Sequence, residues 1–213
     1  MNKTNFIPSS VQLCKRGFDL ISAGIALLLL SPLFPILALL IKLDSPGPII
    51  FKQQRIGQVT DRYVSFFWMY KFRSMREDAE EKSGPVWASA TDTRVTKIGK
   101  FLRKTRLDEL PQLINIIKGD MSLIGPRPER PGMYPQLENA IPYFTERTYG
   151  VRPGVTGMAQ VLQGYTDTVD QARDKVAFDH AYALSLFDVL SWFKTDLRIL
   201  WMTVSVVVLK KGQ

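Results

Sequence analysis

The run LISAGIALLLLSPLFPILALLI at residues 20–41 decides the architecture of this chain. It carries no charge over 22 residues, which at about 1.5 Å per residue is long enough to cross the hydrocarbon core of a bilayer. Pro32 and Pro35 interrupt its middle, where each removes a backbone donor and clashes with the preceding turn. Cations flank both ends, whereas a spanning helix usually has more of its Lys and Arg on one side. We therefore expect membrane attachment, through either a re-entrant helix bent at Ser31-Pro32 or a spanning helix with a proline kink.

A turn cluster, SPGP at 45–48, ends the apolar run and divides the chain into two parts. Residues 1–44 hold a short lead and the anchor, and residues 45–213 have a size typical of one domain. A cleavable secretory signal has an apolar core of about 7 to 15 residues that ends at a small-residue cleavage site. The run here is longer and is followed by no such site, so we expect the anchor to remain in the mature protein.

Composition limits the chemistry. The 213 residues include 28 Lys and Arg against 20 Asp and Glu, a formal net charge of +8. With an apolar anchor, this excess indicates anionic headgroups or phosphate-bearing substrates rather than nucleic acid. Cys14 and His180 are the only residues of their types, which excludes an intrachain disulfide and makes an ordinary zinc site improbable. Chemistry should therefore depend on carboxylates and guanidinium groups.

Two runs rich in β-branched and aromatic residues follow the anchor, PIIFKQQRIG at 48–57 and YVSFFWMYKFRSM at 63–75. They predict a β-hairpin near the membrane surface. Residues 96–104 place apolar side chains and cations on opposite sides at helical spacing, which indicates a basic amphipathic helix suited to headgroups or phosphates. A helix is also predicted over 170–186. In the tail at 192–211 the longest uncharged stretch, 199–209, is too short to span a membrane, and we expect it to be packed or interfacial. The expected fold class is α+β and mainly helical.

Residues 108–118 (DELPQLINIIK) predict a further helix that ends at Gly119. Because proline is tolerated in the first turn of a helix, Pro111 puts Asp108 and Glu109 at its N-terminus. Nearby cations and the helix dipole favour ionised carboxylates there, and such groups act as nucleophiles or bind Mg²⁺. The alternative for Asp108 is a plain N-cap, since Asp is a preferred capping residue.

Arginines and glycines next to this helix offer anion-binding groups. Arg127 and Arg130 lie in the proline-rich segment GPRPERP at 125–131, and a stiff loop reduces the entropy lost when an arginine binds phosphate. The alternative is a rigid structural turn with solvated arginines. Gly154 and Gly157 in RPGVTG let backbone amides approach an anion, although a short glycine turn is weak evidence.

Three segments together carry a resemblance to a known family: KFRSM at 71–75, RKTRLDELPQLINIIKGDMSLIGPRPERP at 103–131 and RPGVTGMAQV at 152–161. They resemble the monotopic bacterial polyprenol-phosphate sugar-1-phosphate transferases. The resemblance implies a re-entrant anchor bent at Ser31-Pro32, with residues 45–213 as a catalytic domain on the cytoplasmic face of the bacterial inner membrane. It also implies that Asp108 attacks the β-phosphate of a UDP-sugar and expels UMP. A polyprenol phosphate, expected to be undecaprenyl phosphate, then accepts the sugar phosphate.

The resemblance also implies the other members of the site. Asp108 and Glu109 are the expected catalytic pair and Mg²⁺ ligands. The expected phosphate- or substrate-binding residues lie in the matching motifs: Lys71, Arg73, Arg103, Arg127 and Arg152. The reaction would initiate exopolysaccharide, capsule, O-antigen or glycoprotein glycan synthesis and supply downstream glycosyltransferases. The resemblance does not decide whether the protein forms a homodimer.

Two features leave alternatives. Many relatives have Trp where this chain has Met158, and Asn-Gly-Arg where it has Leu162-Gln163-Gly164, so the resemblance does not carry the identity of the sugar. A non-enzymatic scaffold that binds anionic lipid would tolerate neutral residues at Asp108 and Glu109. A glycosyltransferase that moves the sugar without its phosphate would release UDP rather than UMP.

Overall fold

The computed structural model describes residues 6–79, 92–163 and 169–208. As predicted, the fold is mainly helical with a small β-hairpin. The end of the predicted apolar tail, beyond residue 208, lies outside the described residues. The elements are, in chain order, α1 (Ser9–Leu30), α2 (Leu33–Asp44), β1 (Ile50–Val59), β2 (Val64–Phe72), α3 (Lys97–Thr105), α4 (Gln112–Lys118), β3 (Ser122–Ile124), α5 (Tyr134–Ala140), β4 (Gly154–Thr156), α6 (Met158–Leu162), α7 (Val169–Leu184) and α8 (Val189–Val208). Short 3-10 turns lie at Leu107–Glu109, Pro131–Met133, Phe144–Thr148 and Ser185–Phe187.

The apolar run forms two helices, α1 and α2, that meet at 65° across Ser31-Pro32. The predicted break is therefore confirmed, and the Ser31 hydroxyl donates to the Leu28 carbonyl oxygen at 2.8 Å beside it. Pro35 causes no second break because it lies in the first turn of α2, where backbone N–H groups have no helical partner. Among the described helices, no single one is both long and apolar enough to cross a membrane, but α1 and α2 together meet that test of length and composition.

Polar residues of α1 attach the bent helix pair to the rest of the fold. Lys15 forms a buried ion pair with Asp196 of α8. The Arg16 guanidinium donates to the last carbonyl groups of α4, where a cation also complements the helix dipole. Asp19 accepts from the Ser122 hydroxyl at 3.0 Å and from a backbone N–H of β3. Lys15 and Arg16 are thus engaged within the protein, so the N-terminal flank presents less free positive charge than the sequence pattern indicates.

The hairpin is antiparallel, with Ile50 opposite Phe72 and Arg55 opposite Phe67. β1 continues to Val59, two residues beyond the predicted end. Phe67 and Met69 of β2 pack against Ala23 of α1 and the apolar face of α4. Because directly opposed residues share a face of a sheet, Arg55 lies on the same face of the hairpin as these two residues.

The segment that follows α3 differs from the prediction. Thr96 caps α3 by accepting from the Gly99 N–H, and Arg106 then takes the left-handed conformation with φ 58°. Residues 108–118 do not form one helix. Asp108 and Glu109 occupy a separate 3-10 turn, and α4 begins at Gln112, after Pro111. Gly119 ends α4 with φ 89°, as predicted.

A parallel pair, β3 and β4, sets the start of the proline-rich loop. A Cβ atom on Gly154 would lie 2.1 Å from the Gly125 nitrogen, and one on Gly157 would lie 2.2 Å from the Gly125 carbonyl oxygen. The Gly154 N–H donates to the Pro126 carbonyl oxygen. These glycines therefore permit close backbone packing, and the Gly154 amide is already engaged, which argues against the predicted anion contact.

The C-terminal helices close the fold. α7 matches the predicted helix to within two residues, and the tail forms one continuous helix, α8. Trp192 and Ile199 of α8 pack with Tyr182 of α7 and Val11 of α1 in the largest buried cluster of the described part of the chain. Another stripe of α8 is exposed, including Leu190, Phe193, Leu197, Trp201 and Val204. The predicted apolar tail is thus packed on one side and uncovered on the other.

Candidate active site

The Asp108–Glu109 pair lies in a cavity of about 800 Å³ between the hairpin, the proline-rich loop and the C-terminal helices. Its wall includes seven of the eight predicted catalytic or phosphate-binding residues: Lys71, Arg73, Arg103, Asp108, Glu109, Arg127 and Arg130. The two carboxylates come from the turn Leu107–Glu109 and are only 7 % and 9 % exposed. The 3-10 turn, rather than a helix N-terminus, therefore presents both acidic residues to the cavity.

Glu109 is held by two cations. Its Oε1 atom accepts from Lys71 Nζ at 3.0 Å and from Arg127 Nη2 at 3.2 Å. Burial alone would raise the pKa of Glu109, but the charges of Lys71, Arg127 and Arg106 outweigh it and lower the pKa. Glu109 is therefore an ionised carboxylate that joins β2, the acidic turn and the proline-rich loop.

Asp108 has the opposite environment. Its Oδ1 atom is buried and has no hydrogen-bond partner among the described residues. Burial raises the pKa of Asp108, and the attraction of Lys71 only partly offsets this effect, while the neighbouring Glu109 charge adds to it. The expectation that nearby cations dominate at Asp108 is therefore wrong, because desolvation is the larger effect.

The plain N-cap alternative for Asp108 is also excluded. Pro111 occupies the N-cap position of α4, and no side-chain cap bond is present in the turn that contains Asp108. A buried polar atom without a partner costs free energy. Asp108 thus has a buried oxygen without a partner and contributes no cap.

The proline-rich loop is fixed by arginines from outside it. Arg147 donates to the Arg127 carbonyl oxygen at 2.6 Å and pairs with Asp179 of α7. Arg55 of β1 donates to the Pro128 carbonyl oxygen at 2.9 Å. These bonds, with the ring constraints of the prolines, hold the Arg127 backbone in place so that its guanidinium reaches Glu109.

Asn115 fixes the position of β2. This fully buried residue of α4 accepts from the Tyr70 N–H at 3.0 Å and donates to the Trp68 carbonyl oxygen at 2.7 Å. The side-chain amide thereby takes the place of a neighbouring strand at the open edge of β2. It connects α4 to the residue immediately before Lys71, a role that the sequence pattern did not indicate.

Two predicted site residues have other contacts. Arg73 lines the cavity, but its Nη2 atom donates to the Ser45 and Ile41 carbonyl oxygens at the end of α2. It therefore holds the anchor against the hairpin. Arg152 is absent from the cavity wall, and the charges that act on it are Arg16 and Asp19 of α1. The structure thus does not bring Arg152 to the site, because the close packing of β3 on β4 carries it to the α1 side.

Five further cations of the wall were not among the predicted site residues: Lys52, Arg55, Arg76, Arg106 and Lys175. Arg106 lies two residues before Asp108. Its charge acts against the effect of burial on the pKa of both carboxyl groups. Strand alternation was a usable signal for Arg55, since a hairpin with Arg55 opposite Phe67 places it on the face that also contains Lys71. No sequence signal pointed to Lys175, which reaches the wall from the distant helix α7.

Comparison with known proteins identifies the class. A model of the bacterial sugar transferase family matches residues 10–210. The chain therefore belongs to that family, and the match includes the bent helix pair and all elements of the cavity.

Several relatives have individual names. A protein of Aeromonas hydrophila named UDP-N-acetylgalactosamine-undecaprenyl-phosphate N-acetylgalactosaminephosphotransferase is 45 % identical over 200 residues, which are 92 % of this chain and 46 % of that protein. The exopolysaccharide production protein PSS of Rhizobium leguminosarum bv. phaseoli is 43 % identical over 89 % of this chain and 92 % of its own length. The UDP-glucose:undecaprenyl-phosphate glucose-1-phosphate transferase of Escherichia coli K12 is 42 % identical over 91 % of this chain, which spans 40 % of that protein. The chain thus covers less than half of two of these relatives and nearly all of the third.

Proposed function

We propose that this chain transfers a sugar-1-phosphate from a UDP-sugar to a polyprenol phosphate and releases UMP. The proposed polyprenol phosphate is undecaprenyl phosphate. Family membership and the names of the relatives support the reaction class. The observation that carries the mechanism is the buried Asp108 oxygen without a partner, next to a Glu109 that two cations neutralise. A carboxylate left unpaired in a cationic cavity is suited to act as a nucleophile.

The reaction proceeds in two displacements. An Asp108 carboxylate oxygen attacks the β-phosphorus of the UDP-sugar, a new oxygen–phosphorus bond forms, and the bond from this phosphorus to the bridging oxygen breaks. UMP leaves with that bonding electron pair, and the sugar phosphate stays on Asp108. An oxygen of the polyprenol phosphate then attacks the same phosphorus and restores the Asp108 carboxylate. Lys71, Arg103, Arg106 and Arg127 surround the acidic pair and offset the negative charge of the phosphates.

Mg²⁺ fits this site if substrate phosphates and water supply the ligands that the two carboxylates do not. Within the described ranges no group of three or more acidic, cysteine or histidine residues is arranged to hold a metal, and Mg²⁺ commonly uses one or two carboxylates together with substrate phosphates and water. Asp108 and Glu109 would hold it, with the unpaired Asp108 oxygen as the available ligand. When bound, Mg²⁺ supplies positive charge to the diphosphate.

The bent helix pair suggests how the site meets a lipid substrate. We place α1 and α2 as a re-entrant anchor in the cytoplasmic face of the bacterial inner membrane, with the exposed stripe of α8 at the interface. A lipid phosphate at headgroup level would then reach the cavity while its tail stays in the bilayer. In this setting the reaction starts a surface glycan, such as an exopolysaccharide, capsule, O-antigen or glycoprotein glycan, which downstream glycosyltransferases extend.

Topology can be tested by cysteine labelling in cells. Cys14 is replaced with Ser, and single cysteines are placed at Lys3 and at Gln213. Both should react only with reagents that reach the cytoplasm. Replacement of Pro32 and Pro35 with Leu should favour an unbroken spanning helix and expose the Lys3 cysteine to periplasmic reagents. A periplasmic N-terminus in the protein with both prolines intact would contradict the re-entrant anchor.

The covalent step has its own test. Detergent-solubilised protein is incubated with a UDP-sugar labelled on the β-phosphate, with Mg²⁺ and without lipid acceptor. The wild-type protein should gain the mass of one sugar phosphate on the peptide that contains Asp108 and release one UMP. Asp108→Asn should gain none, and Asp188→Asn, an exposed control in α8's cap, should label normally. Release of UDP, or UMP that appears only with acceptor present and without labelled protein, would overturn the proposed mechanism.

A further inference from the structure

The cavity wall contains a second group of cations besides the one around the acidic pair. The charges that act most strongly on Asp108 include Lys71, Arg106 and Arg103. Those that act most strongly on Lys175 are instead Glu129 and Arg127. Arg127 thus lies between the two groups, since it binds Glu109 on one side and also acts on Lys175 on the other.

Lys175 projects from α7 into the cavity wall without a bonded partner. Its ammonium group forms no hydrogen bond or ion pair with any residue that the structure describes. The nearby carboxylates are already occupied, because Asp179 pairs with Arg147, and Glu129 Oε1 lies 3.9 Å from the same guanidinium. Burial lowers the pKa of Lys175, so its charge is held in the wall at a cost.

Arg55 supplies a rigid member of this second group and connects it to the first, since Glu109 acts on Arg55 and Arg55 acts on Lys71. Two of its nitrogens are fixed, Nη1 by the Pro128 carbonyl oxygen and Nη2 by Gln53 Oε1 at 2.6 Å. The third, Nε, is buried and has no hydrogen-bond partner in the described part of the chain. Burial also lowers the pKa of Arg55, to about 10. The guanidinium is therefore preorganised, with its Nε–H group left without an acceptor.

Charge in this part of the cavity is strongly unbalanced. Arg55 and Lys175 have the same strongest charged neighbours, Glu129 and Arg127. Arg130 also acts on Arg55 and Arg147 on Lys175, so that five cations face three carboxylates, Glu109, Glu129 and Asp179. An ionised phosphate monoester carries about −1.5 to −2 charge at pH 7 and three acceptor oxygens. Binding such a group would return a bonded partner to Lys175 and would reduce the repulsion among the cations.

We propose that Lys175 and Arg55 form a second anion subsite of the cavity, which takes a phosphate monoester while the Asp108–Glu109 end takes the phosphorus under attack. The inference rests on the proposed function, because a sugar-1-phosphate transfer needs two phosphate positions at once. Two sources have this chemistry: the nucleotide monophosphate that leaves in the first displacement and the prenyl phosphate that attacks in the second.

The test compares phosphate binding in detergent between the wild-type chain and variants of α7. Lys175→Gln removes the ammonium group and Lys175→Met keeps its apolar stem. The matched control is Arg173→Gln, which loses the same charge from an exposed side chain on the same helix and outside the cavity wall. Dissociation constants are measured by calorimetry for UMP, for uridine as the phosphate-free analogue, and for farnesyl phosphate as a short prenyl phosphate. Circular dichroism melts confirm that each variant is folded.

We expect both Lys175 variants to weaken UMP or farnesyl phosphate at least about tenfold, as for the loss of a charged hydrogen bond. Uridine affinity and the Arg173→Gln control should not change, and Lys175→Arg should restore most of the binding. A loss for UMP alone assigns the subsite to the leaving nucleotide, a loss for farnesyl phosphate alone to the acceptor, and a loss for both to each in turn. Unchanged affinity for both phosphates, an equal loss for uridine, or an equal loss in Arg173→Gln would overturn the subsite.

Equilibrium binding also separates this inference from the proposed reaction. The titrations need no turnover and can be repeated with Asp108→Asn, in which the Lys175 effect should persist. If sugar phosphate transfer failed in the wild-type protein while Lys175 still controlled phosphate affinity, the subsite would stand and the reaction would fall. If transfer were normal while the Lys175 variants bound phosphate like wild type, the reaction would stand and the subsite would fall.

Discussion

Two buried carboxylates in this molecule have opposite surroundings. Asp196 of α8 accepts from Lys15 Nζ at 2.8 Å, Trp192 Nε1 at 2.7 Å and the Tyr182 hydroxyl at 2.9 Å. Asp108 is similarly buried, yet its Oδ1 atom has no partner in the described residues. Since buried polar groups are normally hydrogen-bonded, the difference separates a carboxylate that holds helices together from one that the fold leaves unpaired, as the proposed nucleophile requires.

The largest expected effect is on turnover, at Asp108. Asp108→Asn should lower the rate of sugar phosphate transfer by a factor on the order of 10⁴ or more, because an amide is not a nucleophile toward phosphorus. The variant should stay folded, since Asp108 makes no cap bond and leaves no partner behind. Initial rates of UMP release, measured together with a thermal melt, check both parts. Normal turnover would remove Asp108 from the mechanism.

Asp196 should show the reverse pattern. Asp196→Ala leaves the buried Lys15 without its counter-charge and should lower the free energy of unfolding by about 3 to 5 kcal/mol. The fraction that remains folded should still form the phosphosugar adduct on Asp108. Denaturant unfolding in detergent, with adduct yield per folded molecule, makes the comparison. A stable variant that fails to form the adduct would mean that the Asp196 cluster acts on the chemistry.

Features that depend on residues close together in the sequence could be predicted, whereas contacts between residues far apart in the sequence could not. The hairpin, α3 and the Gly119 helix end follow from local periodicity and turn residues, and they were predicted closely. The sequence predicts a helix start at Asp108, but the structure has a separate 3-10 turn at Leu107–Glu109. Pro111 is compatible with both arrangements, and the left-handed conformation of Arg106 changes the chain direction just before the turn.

Residues far apart in sequence explain the remaining differences. Lys15 and Asp196 are 181 positions apart, so no local pattern shows that the basic flank of the anchor is used inside the fold. Lys175 and Arg55 likewise line the same cavity only through tertiary packing. The motif resemblance placed Lys71, Arg103 and Arg127 at the cavity, but it also included Arg152, whose motif runs past the site rather than into it.

A smaller effect is expected at Arg127, which the loop presents to Glu109. Arg127→Ala should lower transfer about a hundredfold, and Arg127→Lys should restore only part of it, because lysine lacks the planar fork that binds two oxygens. Arg62→Ala, which removes the same charge at the exposed end of the hairpin, should have rates close to wild type. If Arg127→Ala also had normal rates, the loop would be a structural turn only.

The smallest effect sharpens the comparison through pH. Burial raises the pKa of Asp108 above the ordinary value of about 3.9, so the folded state binds this proton more tightly than the unfolded state does. The stabilisation is present below the ordinary pKa and is lost as the pH rises through the raised one. At neutral pH the ionised, unpaired carboxylate is therefore a net cost to the folded protein.

In buffer with EDTA, Asp108→Asn should melt at a higher temperature than wild type at pH 7, and this difference in melting temperature should shrink toward acidic pH. Asp196→Asn should be less stable than wild type at pH 7, since an amide has one acceptor oxygen where the three donors now use two. A lower melting temperature for Asp108→Asn at pH 7 would mean that the unpaired oxygen is not a strain on the fold, and the contrast between the two carboxylates would then rest on reactivity alone.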